Sequence, residues 1–269
     1  MTLSYLIYNN TYINQFNRKI LFIMKVSKAQ KEKNRQKLIL AAVALFSEKG
    51  YDQVTMKQIA TQAKMADSTV YKYFANKEKF LTAYHELVLL HSLEQARDEK
   101  QTAGFDFQEK LQYFLDIYLE NLLENREFVG KSLKMMLSSP LTTLNHSFPA
   151  RAALKDMVTD ALTQAVAEEG FPEIPYQNAI THLMTDALFG IVLYWLKDDS
   201  EEFSDTTRMI DMALSLLTAL LKSGVITKAS DLATFVIKSQ MMRFLDQENL
   251  FTNLMKMTSY RQKKEATAP

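Results

Sequence analysis

Residues 35–81 read RQKLILAAVALFSEKGYDQVTMKQIATQAKMADSTVYKYFANKEKFL, and they constrain the fold more than any other part of the chain. Three short amphipathic helices and a basic exit are packed into fewer than fifty residues. A compact three-helix unit with a tight turn before its third helix is suited to laying one helix in a DNA groove. In the first helix Leu38, Ile39, Ala42, Leu45 and Phe46 recur at helical spacing, behind a leading part rich in Lys31, Lys33, Arg35 and Lys37. Gly50 follows the last periodic residues and suits the left-handed position that closes a helix. Thr55 with Gln58 three residues on is a capping-box pattern, so Thr55 is expected to open the second helix. Ile59 faces the core there, and Ala60 is small enough to admit a crossing helix. Lys64, Met65 and Ala66 form the turn, with Met65 as its apolar plug. The third helix, about 67–74, is expected to bury Val70 and Phe74. Its other side offers Ser68, Thr69, Tyr71, Lys72 and Tyr73, polar tips of a length that reaches phosphates or base edges. Asn76 is placed to cap a fourth helix, with Lys77 beside its positively polarised N-terminus, a favourable seat for a phosphate.

Taken together, Ile39, Ala42, Phe46, Gly50-Tyr51, Thr55, Ile59-Ala60, Ala63, Thr69-Val70-Tyr71, Phe74 and Lys77-Glu78 resemble the helix-turn-helix domain of the TetR family of bacterial transcriptional repressors. The resemblance covers about 45 residues. Two positions depart from it: Lys64 stands where the family usually has Gly in the turn, and Ala66 where it often has a Ser cap. Asp67 is expected to take over the cap, and a left-handed Lys64 to cost ~1 kcal/mol relative to Gly. Ser68, Thr69 and Lys72 are expected to reach base edges. Thr55, Tyr71, Tyr73 and Lys77 would fix register on phosphates, and Lys57 completes the DNA-contacting set.

Charge divides the chain in the same way. Residues 25–85 carry 12 Lys+Arg against 5 Asp+Glu, a surplus of +7, and residues 1–24 add +2. With a total of +1, residues 86–269 must carry −8. A basic head supplies sequence-independent attraction to phosphates, and an acidic body stays off the duplex.

The chain has no cysteine, which removes disulfides, thiolate metal sites and thiol nucleophiles and is compatible with a cytoplasmic location. No apolar run reaches a membrane-spanning length, the longest lying around residues 212–221, so no membrane partner is expected. Residues 1–24 lack the pattern of a signal peptide. They are read as an N-terminal extension, either an over-extended start or an arm that touches DNA. Phosphate-loop, nucleotide-fingerprint, nucleophile-elbow and zinc-protease motifs are all missing, and His85 and His91 stand too far apart round a helix to share a metal. The expectation is a protein without catalytic residues, metal or cofactor.

From residue 77 onward the pattern is helical, and the fold class expected is all-α: a helix-turn-helix domain over 25–76, a larger helical domain over 77–260 and a charged tail over 261–269. Helices are expected at about 77–100, 107–123, 128–137, 150–169, 176–196, 204–222, 230–245 and 248–260, with a loop over 138–149. Gly170, Pro172 and Pro175 break one junction, and the acidic run 198–202 is read as a solvated break at the next.

The helices over 176–196 and 204–222 are apolar round more of their circumference than a single core face requires. In the resembled family the corresponding pair forms a four-helix dimer interface, which implies a homodimer here through Leu183, Ala187, Ile191, Ile210, Ala213, Leu214 and Leu217. Dimerisation lets two heads read a palindromic operator. Aromatic and methionine side chains recur between the linking helix and this pair, and such side chains form ordinary core or a hydrophobic pocket. The resemblance implies a pocket for a small hydrophobic effector among Tyr113, Phe114, Ile117, Tyr118, Met136, His182, Phe189 and Trp195. His182 is either its polar anchor or a satisfied core histidine. Implied in turn is a two-state mechanism in which ligand displaces the linking helix and the recognition helices lose their spacing. The alternative is a helical interaction adaptor that keeps the fold without reading DNA.

Overall fold

A computed structural model describes residues 27–138 and 149–245, and among them every regular element is helical. The expected loop over 138–149, the extension 1–24, the helix over 248–260 and the tail fall wholly or largely outside the described residues. The head begins with α1 (27–49), whose Leu38, Ile39, Ala42, Val43, Leu45 and Phe46 are buried along one side. Gly50 ends it in the left-handed conformation at φ 82°, donating its N–H to the Phe46 carbonyl at 3.0 Å. Next come α2 (Met56–Gln62) and α3 (Asp67–Tyr73), followed by α4 (Glu78–Ala96), which leaves the head and enters the body.

α4 is buried on several sides, through Phe80, Leu81, Ala83, Tyr84, His85, Val88, Leu89, Ser92 and Leu93. It stops at Ala96 rather than near residue 100. Asp98 then accepts from the Lys100 amide and opens a separate one-turn helix, α5 (Glu99–Thr102). A second capping box, Asp106 with Glu109, starts α6 (Phe107–Leu123). There follow α7 (Arg126–Ser138), α8 (Pro149–Glu168), α9 (Gln177–Trp195), a 3-10 turn (Glu201–Phe203), α10 (Ser204–Lys222) and α11 (Val225–Leu245). α4 packs most extensively on α6, α8 covers both, α9 lies on α8, and α10 touches α6 and α9. Phe107, Leu111, Phe114, Leu115 and Leu122 of α6 meet Leu154, Val158, Leu162 and Ala165 of α8 in one continuous core.

The acidic run 198–202 is solvated, as its charge suggests, at Asp199, Glu201 and Glu202 but not at Asp198. Asp198 is buried and accepts from the Ser200 amide (2.9 Å) and hydroxyl (2.6 Å) and from the Thr206 amide (2.8 Å) and hydroxyl (2.5 Å). These bonds hold its carboxyl well below the usual carboxylate range. Arg126 closes the same corner from α7. Its Nη2 donates to the carbonyls of Trp195 (2.9 Å) and Asp198 (2.7 Å), with the guanidinium over the rings of Trp195 and Phe203.

Candidate nucleic-acid interface

The interface is built on local chemistry. Thr55 caps α2 as its spacing predicts: its hydroxyl accepts the Gln58 amide at 3.2 Å, and the Gln58 side chain accepts the Thr55 amide at 2.7 Å. At the other end the Lys64 amide bonds the Thr61 carbonyl (3.0 Å) and the Met65 amide bonds the Ala60 carbonyl (2.9 Å), a Schellman closure. That closure needs a left-handed residue, and Lys64 supplies it at φ 54° without the glycine that would adopt it freely. Met65 is half-buried beneath the turn. Asp67 does not take over the cap. Ala66 occupies the cap position with no side-chain bond, and Asp67 is the first residue of α3, where its charge faces the positive end of the helix.

α3 is rooted by Val70, buried on the helix, and by Phe74 just past its end, whose ring stacks on Phe80 with 3.9 Å between centroids. Ser68, Tyr71 and Lys72 stand exposed on its outer side and Thr69 is half-buried beside them. Tyr73 is turned toward α1, its hydroxyl accepting from Asn34 Nδ2 at 3.4 Å and keeping its own hydrogen to donate. Lys57 and Thr55 are exposed at the start of α2. Asn76 accepts the Lys79 amide at 3.2 Å and so caps α4. Lys77 is partly committed: its Nζ donates to the Tyr51 carbonyl at 2.9 Å and lies 4.6 Å from the centre of the Tyr51 ring. Apart from that tether, the eight DNA-contacting positions expected from sequence lie on the turn-bounded pair α2–α3 or at the α4 entry, with side chains at or near the surface.

Spacing in sequence gave no sign of how the head is joined to the body. Arg35 of α1 pairs with Glu86 of α4 at 2.8 Å and lies over the Phe74 ring. Phe128 of α7 stacks on Phe46 of α1 (6.2 Å, 9°) and meets Tyr84 of α4 edge-on (5.1 Å, 88°). Four residues later on α7, Ser132 Oγ stands 2.8 Å from His85 Nε2 of α4, both side chains buried. Burial pushes the His85 imidazole down to about 4.

Among the described residues, the eight side chains expected to line an effector pocket stand in several settings. Phe114 and Tyr118 are buried and stacked on each other at 5.7 Å, while Trp195 is buried at the Arg126 corner. Tyr113 faces outward against Phe105 and bonds Gln101. Ile117, Met136, His182 and Phe189 are half-buried. Two surface clefts of about 550 and 500 Å³, one beside residues 102–106 and the other between α6 and α10, are lined by none of the eight.

The dimer set divides. Leu183 and Ala187 of α9 and Ala213 of α10 are exposed, Ile191 and Leu217 are half-buried, but Ile210 and Leu214 are buried in the chain's own core. Those two face inward because they lie on the side of α10 that packs on the body. The outward side instead carries Met212, Leu216 and Leu220, alongside Leu183 and Tyr194 of α9.

The family model "Bacterial regulatory proteins, tetR family" matches residues 38–84, and "Tetracyclin repressor-like, C-terminal domain" matches residues 110–236. The Fatty acid metabolism regulator protein of Bacillus subtilis is 38% identical over 77 residues, which is 28% of this chain and 40% of that protein. The chain spans only 22–40% of the length of the first four curated relatives it matches. Over the fold the correspondence is broader. Thermus thermophilus FadR, a TetR family repressor solved with lauroyl-CoA, aligns at TM-score 0.54 and 20% identity over 68% of this chain and 93% of its own. Bacillus subtilis FadR, solved with stearoyl-CoA, aligns at TM-score 0.53 and 22% identity over 70% and 98%. The head and the body thus match the two halves of one family, and the chain belongs to the TetR family of bacterial regulatory proteins.

Proposed function

We propose that this chain is a repressor that binds a palindromic operator as a homodimer and lets go when a small hydrophobic effector occupies its body. The observation that carries the DNA-reading half is α3, held from behind by Val70 and Phe74 with Ser68, Thr69, Tyr71 and Lys72 on its free side. In this reading Ser68, Thr69 and Lys72 touch base edges, and Thr55, Lys57, Tyr71, Tyr73 and Lys77 hold phosphates. Dimerisation is supported by the outward apolar stripe of Leu183, Tyr194, Met212, Leu216 and Leu220, which a lone chain would leave in water.

Release is supported by α7. One end of it, Arg126, is fastened to the carbonyls where α9 runs toward α10, and Phe128 rests between α1 and α4 two residues later. A body that shifts α9–α10 therefore moves the base of both heads. An effector can drive this only by as much as it prefers one body shape over the other. Fatty acyl-CoAs are the first ligands to screen, because two proteins of the same fold were solved with them. At 20–22% identity that likeness concerns the fold, so the acyl class enters as a starting point for the screen.

A gel-shift on the DNA flanking its own gene, at two salt concentrations, tests the reading. The expected result is a discrete, competitor-resistant complex that weakens steeply with salt and dissolves with one member of an acyl-CoA series. Diffuse binding competed equally by any DNA would point to the adaptor instead.

A further inference from the structure

The last described helix, α11, carries a run of exposed apolar side chains. Along α11 Ile226, Thr227, Ser230 and Thr234 are half-buried and share one side at helical spacing, and Ser239 is half-buried farther along. Thr227 Oγ1 fixes that side to the body by donating to the Glu173 carbonyl at 3.0 Å. The opposite side carries Val225, Leu232, Phe235 and Val236, exposed by 53%, 63%, 69% and 45%. Ile237 lies on the body-facing flank and is 66% exposed. A helix whose only partner were the body would do the reverse, turning these side chains inward and leaving its Ser and Thr side to water.

We propose that the outward side of α11 packs against a second copy of this chain and extends the α9–α10 interface; the inference rests on the dimer reading above. The occupant follows from continuity. α10 bears its outward apolar residues at Met212, Leu216 and Leu220, and after Ser223-Gly224 and a bend of 56° the same run resumes at Val225, Leu232 and Val236. A copy seated on the first part of that run meets the second. The exposed charges beside it are Lys228, Asp231 and Lys238. Both signs are present, which fits a two-fold-related copy of the same surface better than an anionic membrane or a duplex.

The full-length chain is the material for the test. A photo-reactive benzoylphenylalanine placed at Phe235 should give a cross-link between two chains. Phe235→Glu should weaken the dimer by at least roughly tenfold in sedimentation, with helix content unchanged by circular dichroism. Leu232→Ser, a milder change on the same side, should weaken it less and in the same direction. Leu216→Glu on α10 separates the two readings. If Leu216→Glu dissociates the dimer while Phe235→Glu and Leu232→Ser leave it unchanged and the cross-link stays within one chain, the role of α11 is refuted and the α9–α10 dimer stands. If the unaltered chain sediments as a monomer at tens of micromolar, the dimer reading fails and takes this inference with it.

Discussion

Acidification should weaken this protein through one buried side chain, His85, and the size of the effect can be worked out from its surroundings. The imidazole sits on α4 with Nε2 2.8 Å from Ser132 Oγ. The single hydroxyl hydrogen of Ser132 goes to the Val129 carbonyl at 3.0 Å, so Ser132 Oγ accepts and the imidazole hydrogen is on Nε2. A second proton would have to enter at Nδ1 inside the protein, and burial lowers the pKa from 6.5 to about 4. As pH falls below 6.5 the unfolded chain takes up that proton while the folded chain resists until about 4. The neutral histidine's contribution is therefore complete above pH 6.5 and is lost between 6.5 and 4. Linkage over that interval gives a loss of about 2 kcal/mol at pH 5 relative to pH 8. Carboxylates begin to titrate in the same range, so the quantity to measure is a difference. Urea unfolding of the unaltered chain and of His85→Gln, whose amide can still donate to Ser132, should be run at both pH values. The variant should lose about 2 kcal/mol less than the parent. Equal losses within about 0.5 kcal/mol would mean that His85 titrates as if in water, and that α4 and α7 do not meet as described.

Three further substitutions probe the head. Lys64→Gly relieves the left-handed backbone at φ 54° and should raise stability by about 1 kcal/mol in thermal or urea unfolding; a loss would show that the lysine side chain contributes more than its strain costs. Thr55→Ala removes a reciprocal cap and should lower stability by about 1 kcal/mol in the same assay; a change under a few tenths would show that the box is not formed in solution. Lys77→Ala should weaken every DNA sequence alike and make the salt dependence shallower by about one unit. Weaker binding at an unchanged salt slope would assign Lys77 to the Tyr51 carbonyl alone.

What the sequence disclosed was local. Gly50, the Thr55–Gln58 box, the left-handed Lys64 and the rooting pair Val70 and Phe74 each depend on neighbours within a few residues, and each is found as spacing implies. Asp67 departs from expectation within the same range: a residue able to cap does so only from the cap position, which Ala66 holds. The longer errors have another origin. Asp198 reads as one charge in an acidic run, and only the turn that brings back Ser200 and Thr206 makes it a buried acceptor. Arg35 with Glu86, Phe46 with Phe128, and His85 with Ser132 join residues 47–82 apart, so no periodicity announces them. Helical spacing also cannot say which of two apolar sides meets the body. Ile210 and Leu214, which spacing places at the interface, are buried in the chain's own core, and Met212, Leu216 and Leu220 face outward. A pocket and a core are written in the same residues, so the burial of Phe114, Tyr118 and Trp195 fits either.

The most direct measurement is a hydroxyl-radical footprint of the full-length protein on its operator, repeated with Thr69→Ala. Two α3 helices reading one palindrome should protect two symmetric half-sites about one helical turn, roughly 34–36 Å, apart, and Thr69→Ala should blur sequence preference while leaving salt-sensitive backbone binding in place. A single unpaired patch, or a symmetric footprint that Thr69→Ala, Ser68→Ala and Lys72→Ala all leave untouched, would contradict the assignment of α3 as the helix that reads DNA.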